Sequence, residues 1–194
     1  PMDIGFISGG SGIIGLNNLT KDQVTFLVRN ISMLNDLADI IIIDTGAGVS
    51  DQVLEFVLAS PDVVLVTTPE PSSLTDSYSL MKALYRNPKF LRENTNISLV
   101  ANKVNSEAEG KAVYDKISSV VGKFLEGEIN YLGYIPSDPL LEKAVRNQKV
   151  ISIENPQSRS AKAFENVASK LARKEDDSKL KWGISQIFNS LLSK

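Results

Sequence analysis

Five short stretches carry the carboxylates, amides, hydroxyls and glycines that could do chemistry in this chain: Ser8-Gly-Gly-Ser-Gly12, Asp44-Thr-Gly-Ala-Gly48, Thr67-Thr-Pro-Glu-Pro-Ser-Ser73, Asn102-Lys-Val-Asn105 and Pro136-Ser-Asp-Pro139. Each follows an apolar run of strand length. In an open parallel sheet, ligands bind beyond the carboxyl ends of the strands, so all five are expected along one edge. The sharpest is Asp44, a hard oxygen ligand at the end of a four-isoleucine run, followed by Gly46 and Gly48 in a loop small enough to approach phosphate oxygens. Magnesium is commonly held by one or two such carboxylates together with water and substrate phosphates. An Asp in this place can equally cap the next turn or helix, and Asn102 and Lys103 can be ordinary loop residues.

Composition narrows the chemistry further. The 194 residues contain no cysteine and no histidine, which removes disulfides, thiolate nucleophiles, imidazole general bases and zinc sites of the usual kind. Lys+Arg 21 against Asp+Glu 23 leaves a net charge of -2, so no global positive field draws nucleic acid, and no specific nucleic-acid contact is expected. No apolar run approaches the ~18 residues of a membrane span, and Pro1-Met2-Asp3 does not open a signal peptide, so a cytoplasmic location is expected.

The segment Gly10-Ser-Gly-Ile-Ile-Gly15 matches the dinucleotide fingerprint G-x-G-x-x-G letter for letter. Its context does not. The fingerprint's last glycine should lie in a helix whose first turn holds pyrophosphate, whereas the capping box Thr20-Lys-Asp-Gln23 starts the helix later. The acid that closes the next strand is Asp44, well past the expected spacing of ~20 residues. A Rossmann-type oxidoreductase is therefore disfavoured against a flexible glycine-rich loop. Nor is the segment a Walker A loop, because Leu16-Asn17 follow Gly15 where Lys-Ser/Thr is required.

The elements that must position these residues alternate regularly. Apolar runs at 3–7, 40–43, 63–66, 97–101 and 131–135 read as strands, several of them apolar on both faces as buried parallel strands are. Helical periodicity covers the stretch after Thr20, then 51–59, 74–86, 106–124, 139–147 and 159–173. The expected fold class is α/β, a mostly parallel sheet with helices on both faces. Residues 1–173 form the domain, Lys174–Lys179 a charged linker, and 180–194 an amphipathic helix with Leu180, Ile184, Ile187, Phe188 and Leu191 on one stripe. That stripe suits either a lipid headgroup layer or docking on protein; Trp182 opposite it and the few lysines nearby argue for modest attraction to anionic lipid.

Four segments together carry a resemblance: Ile40-Ile-Ile-Ile-Asp-Thr-Gly-Ala-Gly48, Val64-Leu-Val-Thr-Thr-Pro-Glu-Pro-Ser-Ser-Leu-Thr-Asp76, Val100-Ala-Asn-Lys-Val-Asn105 and Gly133-Tyr-Ile-Pro-Ser-Asp138. In order and spacing they resemble the motifs of MinD/ParA-type P-loop ATPases, and the Ile-Ser-Gly-Gly-Ser-Gly opening is most similar to the members that regulate flagellar number. The resemblance implies that Asp44 is the switch II aspartate at the magnesium shell, with Gly46 and Gly48 letting that loop move. It implies that Asn102, with Lys103 beside it, reads the adenine edge, and that Pro136, Ser137 and Asp138 flank the base and ribose. Glu70, Ser72 and Ser73 would lie near a nucleotide-sandwich dimer interface. The implied cofactors are ATP and Mg2+. The implied partners are a second copy in the presence of ATP, a membrane surface through the C-terminal helix, a flagellar signal-recognition-type GTPase and C-ring proteins.

The resemblance also sets a departure in relief. Such ATPases open with a lysine-bearing deviant Walker A loop and a switch I aspartate, and neither occurs in this sequence. The expectation is an N-terminally truncated domain that hydrolyses ATP negligibly by itself, since phosphoryl transfer rests on positioning and neutralising the phosphates. Loss of an interior P-loop strand would leave unpaired edges that invite self-association or a complementary fragment. A nucleotide-free interaction module on the same fold is the reading of a different class.

Overall fold

A computed structural model describes residues 4–6 and 38–173. The first regular element among the described residues is α1 (Asp51–Ala59), whose first turn is closed by the Ser50 hydroxyl accepting from the Val53 amide at 3.3 Å. There follow β1 (Asp62–Thr67), α2 (Pro71–Arg86), β2 (Asn96–Val104), α3 (Glu107–Leu125), β3 (Asn130–Pro136), α4 (Pro139–Arg146), the single turn α5 (Ile151–Glu154) and α6 (Arg159–Arg173). Local chemistry explains the starts. Proline at the first position opens α2 and α4, where its missing N–H costs nothing. Ser106 accepts from the Glu109 amide at 3.2 Å to begin α3, and Ser158 accepts from the Ala161 amide at 3.1 Å to begin α6.

The strands form a parallel sheet in the order β1-β2-β3. Central β2 is buried on both faces, as its near-continuous apolar run requires. Ile97, Leu99 and Ala101 point toward α2 and α3, where they meet Leu65, Leu84, Val113, Ile117 and Val121. Val100 points the other way and packs with Leu132 and Ile135 under Ala163, Val167 and Leu171 of α6. Helices thus cover both faces. α6 comes so close to β3 that a Cβ on Gly133 would lie 3.2 Å from Val167.

Two register shifts mark β2 against β3. Leu99 pairs with Tyr131 and Val100 with Gly133, which leaves Leu132 as an extra residue in β3. Asn102 pairs with Ile135 and Val104 with Pro136, which leaves Lys103 as an extra residue in β2. At the opposite, amino ends of the strands a side-chain ladder ties all three together: Asn96 donates to Asp62 at 2.6 Å and Asn130 donates to Asn96 at 2.8 Å.

One expected strand is not found. Residues 40–43 have no strand conformation and no hydrogen-bonded neighbour strand among the described residues, and Ile42 is 87% exposed. A run of isoleucines records that a segment can be buried on two faces; it becomes a strand only where a neighbour takes its backbone hydrogen bonds. Residues 4–6, inside the first expected strand, are likewise without regular structure. The other expected strands and helices lie within a few residues of their places, with α2 starting at Pro71 rather than Leu74 and β2 running on to Val104. The glycine-rich stretch 8–12, the helix after Thr20 and the terminal stripe Leu180, Ile184, Ile187, Phe188 and Leu191 lie outside the described residues. Among the described residues no helix is long and apolar enough to cross a membrane.

Candidate functional site

The carboxyl ends of β1, β2 and β3 share one edge of the sheet, and their exits are tied together by the chain's own hydrogen bonds. The extra residue Lys103 takes up the left-handed conformation with φ 56°, which a residue with a side chain rarely adopts. The amide of Lys103 donates to Asn102 Oδ1 at 2.9 Å, which fixes that side chain at the strand end. The Ser137 amide donates to the Val104 carbonyl at 2.8 Å and so binds the β3 exit to the β2 exit. Asn102 is half-buried, Lys103 and Ser137 are exposed, and Pro136 is buried. The result is an amide-bearing side chain and two exposed neighbours held at the mouth of the sheet.

Asp138 anchors this mouth. Its Oδ1 accepts from the Leu140 amide at 2.9 Å as the cap of α4, and its Oδ2 accepts from the Ser160 amide at 3.2 Å and the Ser160 hydroxyl at 2.8 Å. One buried carboxylate therefore joins the starts of α4 and α6. The Ser160 hydroxyl, above all, holds the Asp138 carboxyl below its usual range. Burial opposes this, and the Leu140 and Ser160 amides and the Arg159 charge reinforce it. With both oxygens engaged, Asp138 shapes the loop that carries Pro136 and Ser137. Sequence reasoning missed Ser160; the signal was Ser158-Arg-Ser160 just ahead of a helical stretch, the residue type that seeks helix starts.

The β1 exit is a compact turn. Ser73 Oγ lies 3.0 Å from Thr67 Oγ1 and accepts from the Thr68 amide at 3.0 Å, while the Thr68 hydroxyl donates to Glu70. Ser72 is exposed beside them. Glu70 and Ser73 thus set the entry of α2, and Ser72 presents its hydroxyl outward.

Asp44 stands apart. It is exposed, in the irregular segment that replaces the expected strand, and no hydrogen bond among the described residues ties it to Asn102 or to the other exits. Gly46 and Gly48 have open space where a Cβ would stand, and Gly48 has φ 103°, so its backbone follows a path that favours glycine. No group of three or more acidic residues able to hold a metal exists among the described residues. Among the described residues, Asn102 thus offers a fixed side-chain amide at the strand exits, and Asp44 an exposed carboxylate in a separate, open glycine segment.

No family model matches the chain. Over 171 residues it is 33% identical to the antiactivator FleN of Pseudomonas aeruginosa, a match that covers 88% of this chain and 60% of that protein. Over 158 residues it is 33% identical to the flagellum site-determining protein YlxH of Helicobacter pylori, covering 79% of this chain and 52% of that protein. The chain therefore spans between half and three fifths of the length of these relatives. The crystal structure of the cell division ATPase MinD of Pyrococcus furiosus superposes with a TM-score of 0.59 and 25% identity, covering 77% of this chain and 58% of that one. Motif order, parallel topology and these likenesses agree: the chain belongs to the MinD/ParA-type P-loop ATPase family, and within it resembles the flagellar regulators.

Proposed function

We propose that this chain supplies the base-reading and partner-facing part of a MinD-like ATP-dependent switch that regulates flagellar number or placement. The observation that carries the reading is the Asn102-Lys103 exit, where an inserted left-handed residue fixes an amide side chain beside the Pro136-Ser137 loop. Strained, non-glycine backbone of this kind gathers at ligand sites. The relatives named as an antiactivator and as a flagellum site-determining protein support the flagellar role, and the name of the archaeal cell division ATPase supports the nucleotide.

In this reading ATP supplies the charge that Mg2+ neutralises at Asp44, and Gly46 and Gly48 let that segment follow the phosphate state. Asn102 and Lys103 hold the adenine side, and Pro136 and Ser137 line base and ribose, with Asp138 as their buried anchor. Glu70, Ser72 and Ser73 face a second copy of the chain in the ATP-bound state. Residues 180–194 make the switch membrane-associated, and the flagellar signal-recognition-type GTPase and C-ring proteins are its partners. The sequence contains no G-x4-G-K-[ST], so these 194 residues by themselves turn ATP over negligibly.

The test is a titration of a fluorescent ATP analogue with the chain and with Asn102→Ala. The variant should bind about tenfold more weakly, as expected for loss of a buried amide pairing with a base edge. Equal affinity of the two proteins would falsify the base-reading role, and absence of binding by both would favour a nucleotide-free interaction module. Robust magnesium-dependent hydrolysis by the chain would overturn its expected inactivity. Liposome sedimentation with and without residues 180–194 tests the membrane arm, and equal recovery in the supernatant would sink it.

A further inference from the structure

A cleft of about 300 Å³ lies along the outer edge of β3 and reaches Pro136 at the carboxyl end of that strand. Its lining includes Glu107 at the start of α3, Tyr131 and Leu132 of β3, and Arg159, Lys162 and Lys170 of α6. Since α3 and α6 cover opposite faces of the sheet, a cavity touched by both must wrap around the strand's edge. That edge has no strand partner among the described residues. Three cations stand against one carboxylate here, and none of the three is in an ion pair among the described residues.

The cations are placed differently. Lys170 donates to the Leu132 carbonyl at 2.8 Å, on the extra residue of β3, and Arg159 donates to the Asn105 carbonyl at 3.4 Å. The Lys162 side chain has neither a hydrogen bond nor an ion pair among the described residues and projects from an exposed position of α6. A fourth feature points independently to a missing partner: the Tyr131 hydroxyl is buried and has no hydrogen-bond partner among the described residues. Burial first, then the Glu107 carboxylate and Tyr134, push this phenol up to about 12, so it remains a neutral donor across the physiological range. A buried donor left unmatched costs on the order of 1 to 3 kcal/mol, which a ligand's acceptor would recover.

We propose that this cleft receives an extended, carboxylate-bearing segment of another protein, which adds as a strand to the free edge of β3 and sets its acidic side chains against Lys162 and Arg159. Charge complementarity selects the partner: strand addition supplies main-chain hydrogen bonds that any peptide can make, and the flanking cations favour an acidic one. The proposal does not rest on the nucleotide reading, because it is argued from the outer edge of β3 and the cations of α6; the two surfaces adjoin at Pro136.

The experiment is fluorescence anisotropy with a labelled hexapeptide of alternating Val and Glu, titrated with the full 194-residue chain. Saturable binding is expected, about tenfold weaker for Lys162→Glu and about threefold weaker for Lys162→Gln, both on an exposed helix position that folding tolerates. The same peptide N-methylated at alternate amides, and a Val/Lys version, should not bind. No saturable binding by the wild-type chain would overturn the proposal and leave the cations as guards of an open edge against self-pairing. Equal binding of the N-methylated peptide would overturn strand addition. Binding seen only after Glu175→Gln, Asp176→Asn and Asp177→Asn are combined in the full chain would overturn it as well, because the chain's own acidic stretch would then be the occupant.

Discussion

The two halves of the candidate site are built in opposite ways. The exits of β2 and β3 are fixed by bonds the chain makes with itself: Lys103 to Asn102, Ser137 to Val104, and Asp138 to both Leu140 and Ser160. The segment from Ile40 to Gly48 has no regular structure, exposes Ile40 and Ile42, and leaves Asp44 in solvent. In the proposed switch, the groups that meet the invariant part of the ligand are preorganised, whereas those that answer to its changing part are left to be ordered by what binds. Segments that move are drawn from the low-stability end of a fold.

The largest contrast should appear in amide hydrogen exchange. Amides of β2 should exchange roughly a thousandfold more slowly than those of residues 42–48, because the former open only with the whole sheet. Comparable protection in the two regions would end the comparison. Next in size, Leu99→Ala, at a side chain with 0% exposure, should cost about 3 to 4 kcal/mol by denaturant titration while leaving exchange at residues 42–48 unchanged. Coupled loss in both would show that the segment shares the core's stability.

Asp138→Ala should cost about 2 to 3 kcal/mol, since it removes the cap of α4 and strands the Ser160 hydroxyl and amide in a buried place. Acid sharpens that prediction. The Asp138 carboxyl is lowered from 3.8, so the folded state binds its proton less readily than the unfolded chain. Its contribution is full above the unfolded value and fades as pH falls through the lower folded one. The stability gap between wild type and Asp138→Ala should therefore narrow below about pH 4, and a gap that persists at pH 2 would disconnect the effect from ionisation. Smallest of all, Asp44→Asn should change unfolding free energy by less than about 0.5 kcal/mol, as expected of an exposed residue without partners among those described. A larger loss would give Asp44 a structural role and blur the contrast.

The legibility of the fold in the sequence follows the range of the interactions involved. Helix starts were readable because Ser50, Ser106 and Pro139 act within three or four residues of themselves. The core strands at 62–67, 96–104 and 130–136 were readable because their apolar runs found neighbours. The four isoleucines at 40–43 misled because an apolar run is silent about who pairs with it. At the site, Asn102 and Pro136 were placed on the right edge by topology alone, but the clamp on Asp138 depends on Ser160, 22 positions away. No local spacing encodes such a bond. The left-handed turn at Lys103 was invisible for a related reason, since it answers to pairing with β3 and not to residue type.

That inserted lysine resets the phase of its strand. Simple alternation from Ile97 through Leu99 and Ala101 would aim residue 103 into the hydrocarbon beneath α3; with one residue spare, Val104 fills that place with 0% exposure and the amine is turned out to water. Deleting a single codon here would restore the pleat's count, let Asn102 and Val104 follow one another in regular register opposite Ile135 and Pro136, and remove the left-handed turn whose amide holds the Asn102 side chain.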